Sequence, residues 1–284
     1  MMAAAQPETI FEIKRSSIYF CRKAKERIQL GKGFFGVVFK GHYKGEKVAV
    51  KIVQDGSMNP QDFLNEAQIM RTMEHPNIIK LLAVCTKKEP IYIITELMKK
   101  GSLLEYLKKN RQTLDISHQI EMAVQVACGM DYLEKNLYIH RDLAARNVLV
   151  GENVYKVADF GLARVLIKAP SDSPNSQYYR VIEGVCLPIR WTAPDAIVSN
   201  RFTIKNDVWS FGILLYEIMT FGMEPYANIK NNNKLIKRVT GGYRMPCPRD
   251  CPENMYQIMS ACWMMQANDR PLFESLHTML SDLQ

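Results

Sequence analysis

The residues best suited to chemistry lie in one short segment and in a tripeptide that follows it. His140-Arg-Asp142-Leu-Ala-Ala-Arg-Asn147 places a carboxylate and an amide close together, and Asp159-Phe-Gly supplies a second carboxylate. Transfer of a phosphoryl group to a hydroxyl needs a carboxylate to accept the proton and oxygen ligands for the metal that holds the phosphates. Each motif alone is compatible with an ordinary turn, because Asp and Asn favour turns. Together, and in this order, they indicate phosphoryl transfer.

A glycine-rich stretch near the start, Gly31-Lys-Gly33-Phe-Phe-Gly36-Val-Val38, has a pattern found in loops that bind nucleotide phosphates. The pattern alone is weak, because a dinucleotide-binding loop carries similar glycines. That loop must open a helix, whereas the residues after Gly36 are of β type. A strand-glycine-strand hairpin that covers phosphates is the form used by protein kinases.

A lysine and a glutamate follow the glycines at positions that suit the same chemistry. Val48-Ala-Val-Lys51 places the lysine on an alternating strand, and Glu66 lies on the helix predicted after it. A solvated edge lysine is the alternative for Lys51, and the neighbouring glycine loop favours phosphate binding. A lone helical glutamate is usually on the surface, so the interpretation of Glu66 as the partner of Lys51 depends on that lysine.

Hydrophobic periodicity predicts the elements that must position these residues. Short β-type runs predominate from 28 to 97. One helix interrupts them; Asn59 can cap it, and Phe63, Ala67, Met70 and Glu74 would fall on one of its faces.

After Gly101 the period becomes helical. Ser102 with Glu105 predicts a capping box, and Ser117 would open a long helix. Further helices are predicted at 207–220, 252–263 and 271–283. The pattern predicts an α+β, bilobal fold, with a small antiparallel β lobe that contains one helix and a larger, mainly helical lobe.

Length and composition narrow the class of protein. The 284 residues are 47% hydrophobic and 23% charged, which excludes a disordered chain, a collagen-like repeat and a disulfide scaffold. The net charge of +8 fits an anionic partner. We do not expect that partner to be nucleic acid, because the chain has no stripe of basic residues interleaved with aromatic ones. Seven cysteines in mostly apolar segments predict reduced thiols and a cytoplasmic location. No apolar run reaches the roughly 18 residues that a transmembrane segment needs.

From about Ile28 to the end, the chain resembles a eukaryotic protein kinase domain. Leu143-Ala-Ala-Arg146 after the aspartate and the Pro188-Ile-Arg-Trp191 platform are similar to tyrosine kinases rather than to Ser/Thr kinases. Ile91-Tyr-Ile-Ile-Thr-Glu-Leu-Met98 and Asp207-Val-Trp-Ser-Phe-Gly look like the Src superfamily, especially its Frk-like branch. The resemblance implies ATP- and Mg²⁺-dependent transfer of the γ-phosphate to tyrosine hydroxyls of proteins.

The resemblance also implies a division of the chain. An N-terminal extension or linker would occupy 1–27 and the kinase domain 28–284. Within the domain, an N-lobe would cover 28–96, a hinge 97–101 and a C-lobe 102–284, with an activation segment at 159–195. The full-length protein would carry Src-homology modules upstream of this domain. It would be cytoplasmic and would work at the inner membrane surface.

Position by position, the resemblance implies roles for the motif residues. Asp142 would be the base, Arg146 would assist the tyrosine hydroxyl, and Lys51 would hold the α- and β-phosphates while pairing with Glu66. Mg²⁺ would be bound by Asn147 and Asp159. The remaining nucleotide site would comprise the loop glycines Gly31, Gly33 and Gly36, the adenine-contacting Leu30, Val38, Ala49 and Leu149, the gatekeeper Thr95, and the backbones of Glu96 and Met98. A hydrophobic spine anchored at Asp207 would comprise Met70, Leu81, His140 and Phe160, for which ordinary core packing is an equal alternative.

Two features of the activation segment are implied in the same way. Tyr179 would be the autophosphorylation site, with Tyr178 as its neighbouring alternative, and Arg141 and Arg164 would read the phosphate. Ala193-Pro-Asp195 stands where relatives carry Ala-Pro-Glu, and Arg270 matches the usual partner of that glutamate. We predict that the Asp195–Arg270 pair persists, because a buried charge without a partner is strongly destabilising.

Two other functions compete with an active tyrosine kinase. A pseudokinase that scaffolds partners usually lacks the lysine, the base or the metal aspartate, and all three are present here. A Ser/Thr or dual-specificity kinase is disfavoured by Arg146 and by the Pro188–Trp191 platform.

Overall fold

The computed structural model describes residues 12–33, 36–52, 60–166, 179–180 and 187–284. They divide into two compact units, of which the first takes Met1–Glu74 and Ile79–Lys99 and the second takes His75–Ile78 and Lys100–Gln284. The predictions that involve Asn59, the Phe63 side chain and Tyr178 lie outside the described residues.

The first unit is built on an antiparallel sheet with one helix. The strands of this unit are β1 (Tyr19–Phe20), β2 (Arg22–Lys23), β3 (Glu26–Arg27), β4 (Gln29–Gly33), β5 (Gly36–Tyr43), β6 (Glu46–Ile52), β7 (Leu81–Cys85) and β8 (Tyr92–Glu96). The sheet runs in the order β1-β5-β6-β8-β7, with β4 paired to β5, while β2 and β3 form a separate hairpin. The helix α1 (Pro60–Arg71) ends before Glu74, so the prediction that Glu74 shares one face of this helix was wrong, whereas Ala67 and Met70 lie on it and are buried.

The residues before 28 take part in the core of this unit. Ile18 is buried together with Val48, Val50 and Ile94. The chain also follows β7, since the Ile13 N–H donates to the Val84 carbonyl at 2.9 Å. The described part of the stretch that we predicted as a linker therefore packs on the sheet.

The second unit is mainly helical. Its helices are α2 (Leu103–Lys109), α3 (Ile116–Lys135), α4 (Pro194–Ser199), α5 (Ile204–Met219), α6 (Asn232–Thr240), α7 (Glu253–Cys262) and α8 (Phe273–Ser281). Short antiparallel strands accompany them: β9 (Tyr138–Ile139), β10 (Val148–Val150), β11 (Tyr155–Val157), β12 (Arg164–Val165), β13 (Tyr179–Arg180) and β14 (Arg201–Phe202). β10 pairs with β11, β9 with β12, and β13 with β14.

Helix starts follow the side chains that cap them. The Ser102 hydroxyl accepts from the Glu105 N–H at 3.3 Å, which is one of the two bonds of the predicted capping box. The prediction of Ser117 as the start of α3 was wrong, because Asp115 caps the helix by accepting from the His118 N–H at 3.0 Å. Thr203 forms a capping box with Asn206, and α5 therefore starts at Ile204, three residues before the predicted start at 207.

α5 is the central helix of the second unit, and nearly every residue from Asn206 to Met219 is buried. Gly212 allows the close approach of α7 and the residue after it, since a Cβ there would lie 2.7 Å from the Cys262 Cβ and 2.6 Å from the Trp263 Nε1. A helix so enclosed can hold polar side chains only where they have partners. The partners of its two buried acidic residues lie in the candidate site.

The described residues include six of the seven cysteines. All six are free thiols. Within the same ranges, no helix is both long enough and apolar enough to cross a bilayer. In that part of the chain no group of three or more His, Cys, Asp or Glu side chains could hold a metal ion.

Candidate active site

The loop that follows β9 is held by Asp207, one of the two buried acidic residues of α5. Its Oδ2 accepts from the His140 N–H at 2.7 Å and its Oδ1 from the Arg141 N–H at 2.9 Å. Burial raises the pKa of Asp207. These bonds hold Arg141 at a φ of 68°, in the left-handed region that a non-glycine residue adopts only when its surroundings enforce it.

The His140 ring completes the support of the loop. The Ala158 carbonyl, which can only accept, lies 3.0 Å from Nε2, and the Asp142 N–H donates to Nδ1 at 3.2 Å. Nε2 therefore carries the proton and the ring is neutral, in agreement with a pKa that burial lowers. The ring packs on Phe160 with the centroids 5.2 Å apart, so these two members of the predicted spine are in contact.

Asp142 presents a carboxylate that is held on both oxygens. Arg146 forms an ion pair with Oδ1, and the Asn147 amide donates to Oδ2 at 2.8 Å. The pKa of Asp142 is raised to about 6, because burial outweighs the lowering by the charge of Arg146, and the charge of Asp159 acts in the same direction as burial. A carboxylate with this pKa is ionised at neutral pH and is basic enough to accept a proton.

Asn147 and Asp159 lie on adjoining segments and suit a hard cation. The Asn147 amide nitrogen also donates to the Asp142 carbonyl at 2.7 Å, so the amide oxygen is the group suited to a cation. The Ala158 N–H donates to the Asn147 carbonyl at 2.8 Å, which joins the two segments. Asp159 has a φ of 62°. One amide and one carboxylate fit Mg²⁺, which is usually bound by one or two protein ligands together with substrate phosphates.

Glu217, the second buried acid of α5, is a site residue that the sequence interpretation missed. Its Oε2 accepts from the Ala145 N–H at 2.9 Å and from the Trp191 Nε1 at 3.0 Å. The Arg146 guanidinium lies 4.3 Å from the centre of the Trp191 ring. The available signal was a glutamate inside the apolar run of residues 211–219.

In the first unit, the predicted glycine loop is a hairpin between β4 and β5. Gly33 pairs with Gly36, and Gly31 lies opposite Val38. Gly36 has a φ of 146°, which favours glycine over any residue with a Cβ. The two residues at the tip, 34 and 35, lie outside the described residues.

Lys51 and Glu66 are brought together as predicted. The Lys51 Nζ lies 2.8 Å from Oε1 and 2.9 Å from Oε2 of Glu66. The Glu66 side chain is 3% exposed and that of Lys51 is 14% exposed. Glu66 is thus a buried partner rather than a surface helical residue, and the pair fixes the lysine on β6.

The other predicted nucleotide-site residues lie on the same sheet, just after β8 or on β10. Ala49 on β6 pairs with Thr95 on β8, and Val38 pairs with Lys51. The Glu96 side chain accepts from the Lys80 N–H at 2.8 Å. Of the remaining residues in the first unit, Leu30 is exposed, whereas Met98 and the spine members Met70 and Leu81 are buried; Leu149, on β10, belongs to the second unit.

The predicted Asp195–Arg270 pair is present. Asp195 Oδ1 lies 2.6 Å from the Arg270 Nη2, and Oδ2 accepts from the Asn206 amide at 2.7 Å. Arg270 is also held by the carbonyls of Lys205 and Met264, each at 2.9 Å. The shorter side chain therefore reaches its partner directly.

Comparison with known proteins shows the family of the chain. The family of protein tyrosine and serine/threonine kinases matches residues 25–280, and the chain belongs to that family. Within it, the chain is a protein tyrosine kinase domain similar to Src-family non-receptor kinases. It is 50% identical to the sponge Spongilla lacustris tyrosine-protein kinase SRK3 over 275 residues, 96% of this chain and 78% of the relative. It is also 50% identical to human tyrosine-protein kinase FRK, again over 96% of this chain but 52% of the relative.

The predictions of the bilobal α+β kinase fold and of kinship with Src-family kinases are therefore confirmed. ATP is the phosphoryl donor that a kinase domain uses.

Proposed function

We propose that this domain transfers the γ-phosphate of Mg-ATP to tyrosine hydroxyls of protein substrates. The observation that carries the proposal is the mostly buried carboxylate of Asp142, which is ionised at neutral pH and oriented by Arg146 and Asn147. The relatives named above are called tyrosine-protein kinases. Arg146 and Trp191, which separate the tyrosine-kinase pattern from the Ser/Thr pattern, are stacked on each other beside this carboxylate.

The roles follow from the chemistry of each group. Asp142 accepts the proton of the tyrosine hydroxyl, and Arg146 holds the carboxylate and contributes positive charge beside the acceptor. Lys51, fixed by Glu66, binds the nucleotide phosphates. Catalysis of this kind consists mainly of positioning and electrostatic stabilisation.

Asn147 and Asp159 would hold Mg²⁺. When bound, the ion supplies charge that neutralises the phosphates of the nucleotide. The donor set of one amide oxygen and one carboxylate fits this ion, because the phosphates complete its coordination. Leu30, Val38, Ala49, Thr95, Met98 and Leu149 would surround the adenine.

Tyr179 is the proposed site of regulation by autophosphorylation. The guanidinium groups of Arg141 and Arg164 lie 5.0 and 5.7 Å from the centre of its ring. The Nε and Nη2 of Arg141 are buried without a hydrogen-bond partner among the described residues. Burial and the charge of Arg164 lower the pKa of Arg141 to about 10. A phosphate on Tyr179 would give these donors the acceptors that they lack.

Location and upstream modules belong to the proposal as well. The chain spans about half the length of human FRK, so that relatives of this kind contain further sequence. We propose a cytoplasmic kinase that carries Src-homology modules upstream and acts near the inner membrane surface.

A peptide panel tests the function. The full chain is incubated with labelled ATP, Mg²⁺ and one peptide in three versions that differ only in a central Tyr, Ser or Thr. The proposal expects transfer to Tyr alone, which EDTA abolishes. Transfer to none of the peptides would favour a pseudokinase, and equal transfer to Ser or Thr would favour a dual-specificity kinase.

A further inference from the structure

Glu217 connects two segments that the family motifs treat separately. One carboxylate oxygen, Oε2, accepts both from the Ala145 N–H at the end of the catalytic loop and from the Trp191 side chain of the platform. The two donors are far apart in sequence, and the glutamate is 2% exposed. A single buried acceptor thus fixes the distance between loop and platform.

The connection continues to the reacting groups. Arg146 follows Ala145 directly, stacks on the Trp191 ring at 4.3 Å and pairs with Asp142. A displacement of either donor of Glu217 would therefore move the guanidinium that orients the base. These residues form a continuous chain of contacts from α5 to Asp142.

The position of Glu217 is unfavourable for a negative charge, because the side chain is buried. Burial raises the pKa of Glu217 to about 7, against the opposing effect of its two N–H donors and of the charges of Arg146 and Lys108. Arg146 and Lys108 are the charged groups that act on it from neighbouring elements. A carboxylate in so unfavourable a position is retained where its bonds are needed.

We infer that Glu217 is a positioning residue for the acceptor side of the active site, which holds Arg146 and Trp191 in register so that a tyrosine-containing peptide meets Asp142. The inference rests on the proposed function. It assigns Glu217 no contact with the nucleotide, and this restricts its effect to the peptide.

The test compares kinetics of the full chain and its variants. Glu217→Ala removes both bonds, Glu217→Gln keeps one acceptor oxygen, and Trp191→Phe keeps the ring under Arg146 but removes one donor. Glu134→Ala is the matched control, because Glu134 is a partly buried helical carboxylate that accepts one backbone N–H at 2.7 Å, from Phe273 on α8, which belongs to neither the loop nor the platform. Turnover is normalised to the folded fraction.

We expect Glu217→Ala to lower kcat/KM for the tyrosine peptide about tenfold or more, with KM for ATP within about twofold of wild type. Glu217→Gln should recover part of the loss, and Glu134→Ala should lose none. An equal loss for Glu134→Ala and Glu217→Ala, or a rise in the KM for ATP, would overturn the inference. Wild-type protein without activity on tyrosine would instead overturn the proposed function.

A spectroscopic readout is independent of turnover and of the stability of Glu217→Ala. The indole N–H signal of Trp191 is assigned by its loss in Trp191→Phe. It should shift as pH falls through about 7, because protonation of Glu217 weakens the bond that it accepts. In Glu217→Gln that transition should be missing; the same transition in both proteins would show that Trp191 does not report on Glu217.

Discussion

Two aspartate–arginine pairs in the larger unit differ in which partner is the more buried one. In Asp142–Arg146 the aspartate side chain is 13% exposed and the arginine 32%. In Asp195–Arg270 the arginine is 0% exposed and the aspartate 35%. The same two side-chain types therefore serve different ends.

The difference teaches which partner of an ion pair decides its use. A carboxylate can lose its charge at accessible pH, so burying it produces a group that exchanges a proton, with a pKa near 6 for Asp142. A guanidinium keeps its charge, so burying it creates a permanent demand for a counter-charge and for carbonyl acceptors. The first arrangement suits a base and the second suits a structural tie.

The largest expected effect concerns the base. Asp142→Asn should lower phosphoryl transfer to a tyrosine peptide by about 10²- to 10⁴-fold, because the amide cannot accept the proton. ATP affinity, measured by calorimetry, should stay near that of wild type, since the base contacts the acceptor. Near-normal turnover would exclude Asp142 as the base.

The structural tie should show itself in stability. Arg270→Ala and Asp195→Ala should each lower the free energy of unfolding by about 3–5 kcal/mol, because each leaves a charge without its partner. The double variant should lose much less than the sum of the two. The control is the exposed pair Lys80–Glu74, for which Glu74→Ala should change stability by about 1 kcal/mol or less. Additive losses in the Asp195–Arg270 cycle would show that the two residues are not coupled.

The pH profile sharpens the comparison further. Because the pKa of Asp142 is raised to about 6, its ionised form is lost as pH falls through that value, and kcat/KM should drop about tenfold per unit below it. Arg146 lowers this pKa, so Arg146→Ala should move the acid limb to higher pH. Comparing the two proteins with the same nucleotide cancels the ionisation of ATP. An unchanged limb in Arg146→Ala would contradict the assignment.

The smallest effect is regulatory. Tyr179→Phe should lower activity after incubation with Mg-ATP by about fivefold or more without abolishing it, because Arg141 then stays without a phosphate. Mass spectrometry should find phosphate on Tyr179 in wild type and none in Asp142→Asn. Tyr19, which is 70% exposed, supplies the control Tyr19→Phe, which should have no effect. Phosphate on Tyr178 alone would count against Tyr179.

The sequence predicted those features that depend on local pattern or on motif. The glycine hairpin and the Lys51–Glu66 pair lie where the local pattern placed them, and the Asp195–Arg270 pair lies where the resemblance to the kinase family placed it. Helix starts were less predictable, since several capping residues can stand near one start: Asp115, rather than Ser117, supplies the acceptor for α3.

Features that depend on tertiary packing were not predictable. Glu217 has no motif, and only the fold brings Ala145 and Trp191 to its one oxygen. The direction of burial within each Asp–Arg pair is equally a property of the packed chain. Periodicity also gave no sign that Ile18, before the predicted domain start, joins the core of the sheet.

The central claim is that Asp142 is a base and Asp195 a structural tie, and one crossed measurement tests it most directly. Asp142→Asn and Asp195→Asn are compared in both the free energy of unfolding and the turnover per folded molecule. The account predicts that Asp142→Asn loses turnover at unchanged or higher stability, because a buried carboxylate with a raised pKa is not stabilised by its charge. Asp195→Asn should lose stability, since Arg270 loses its counter-charge, and keep turnover. The account would be contradicted by an Asp195→Asn variant that loses turnover but keeps its stability. It would equally be contradicted by an Asp142→Asn variant that loses stability but keeps its turnover.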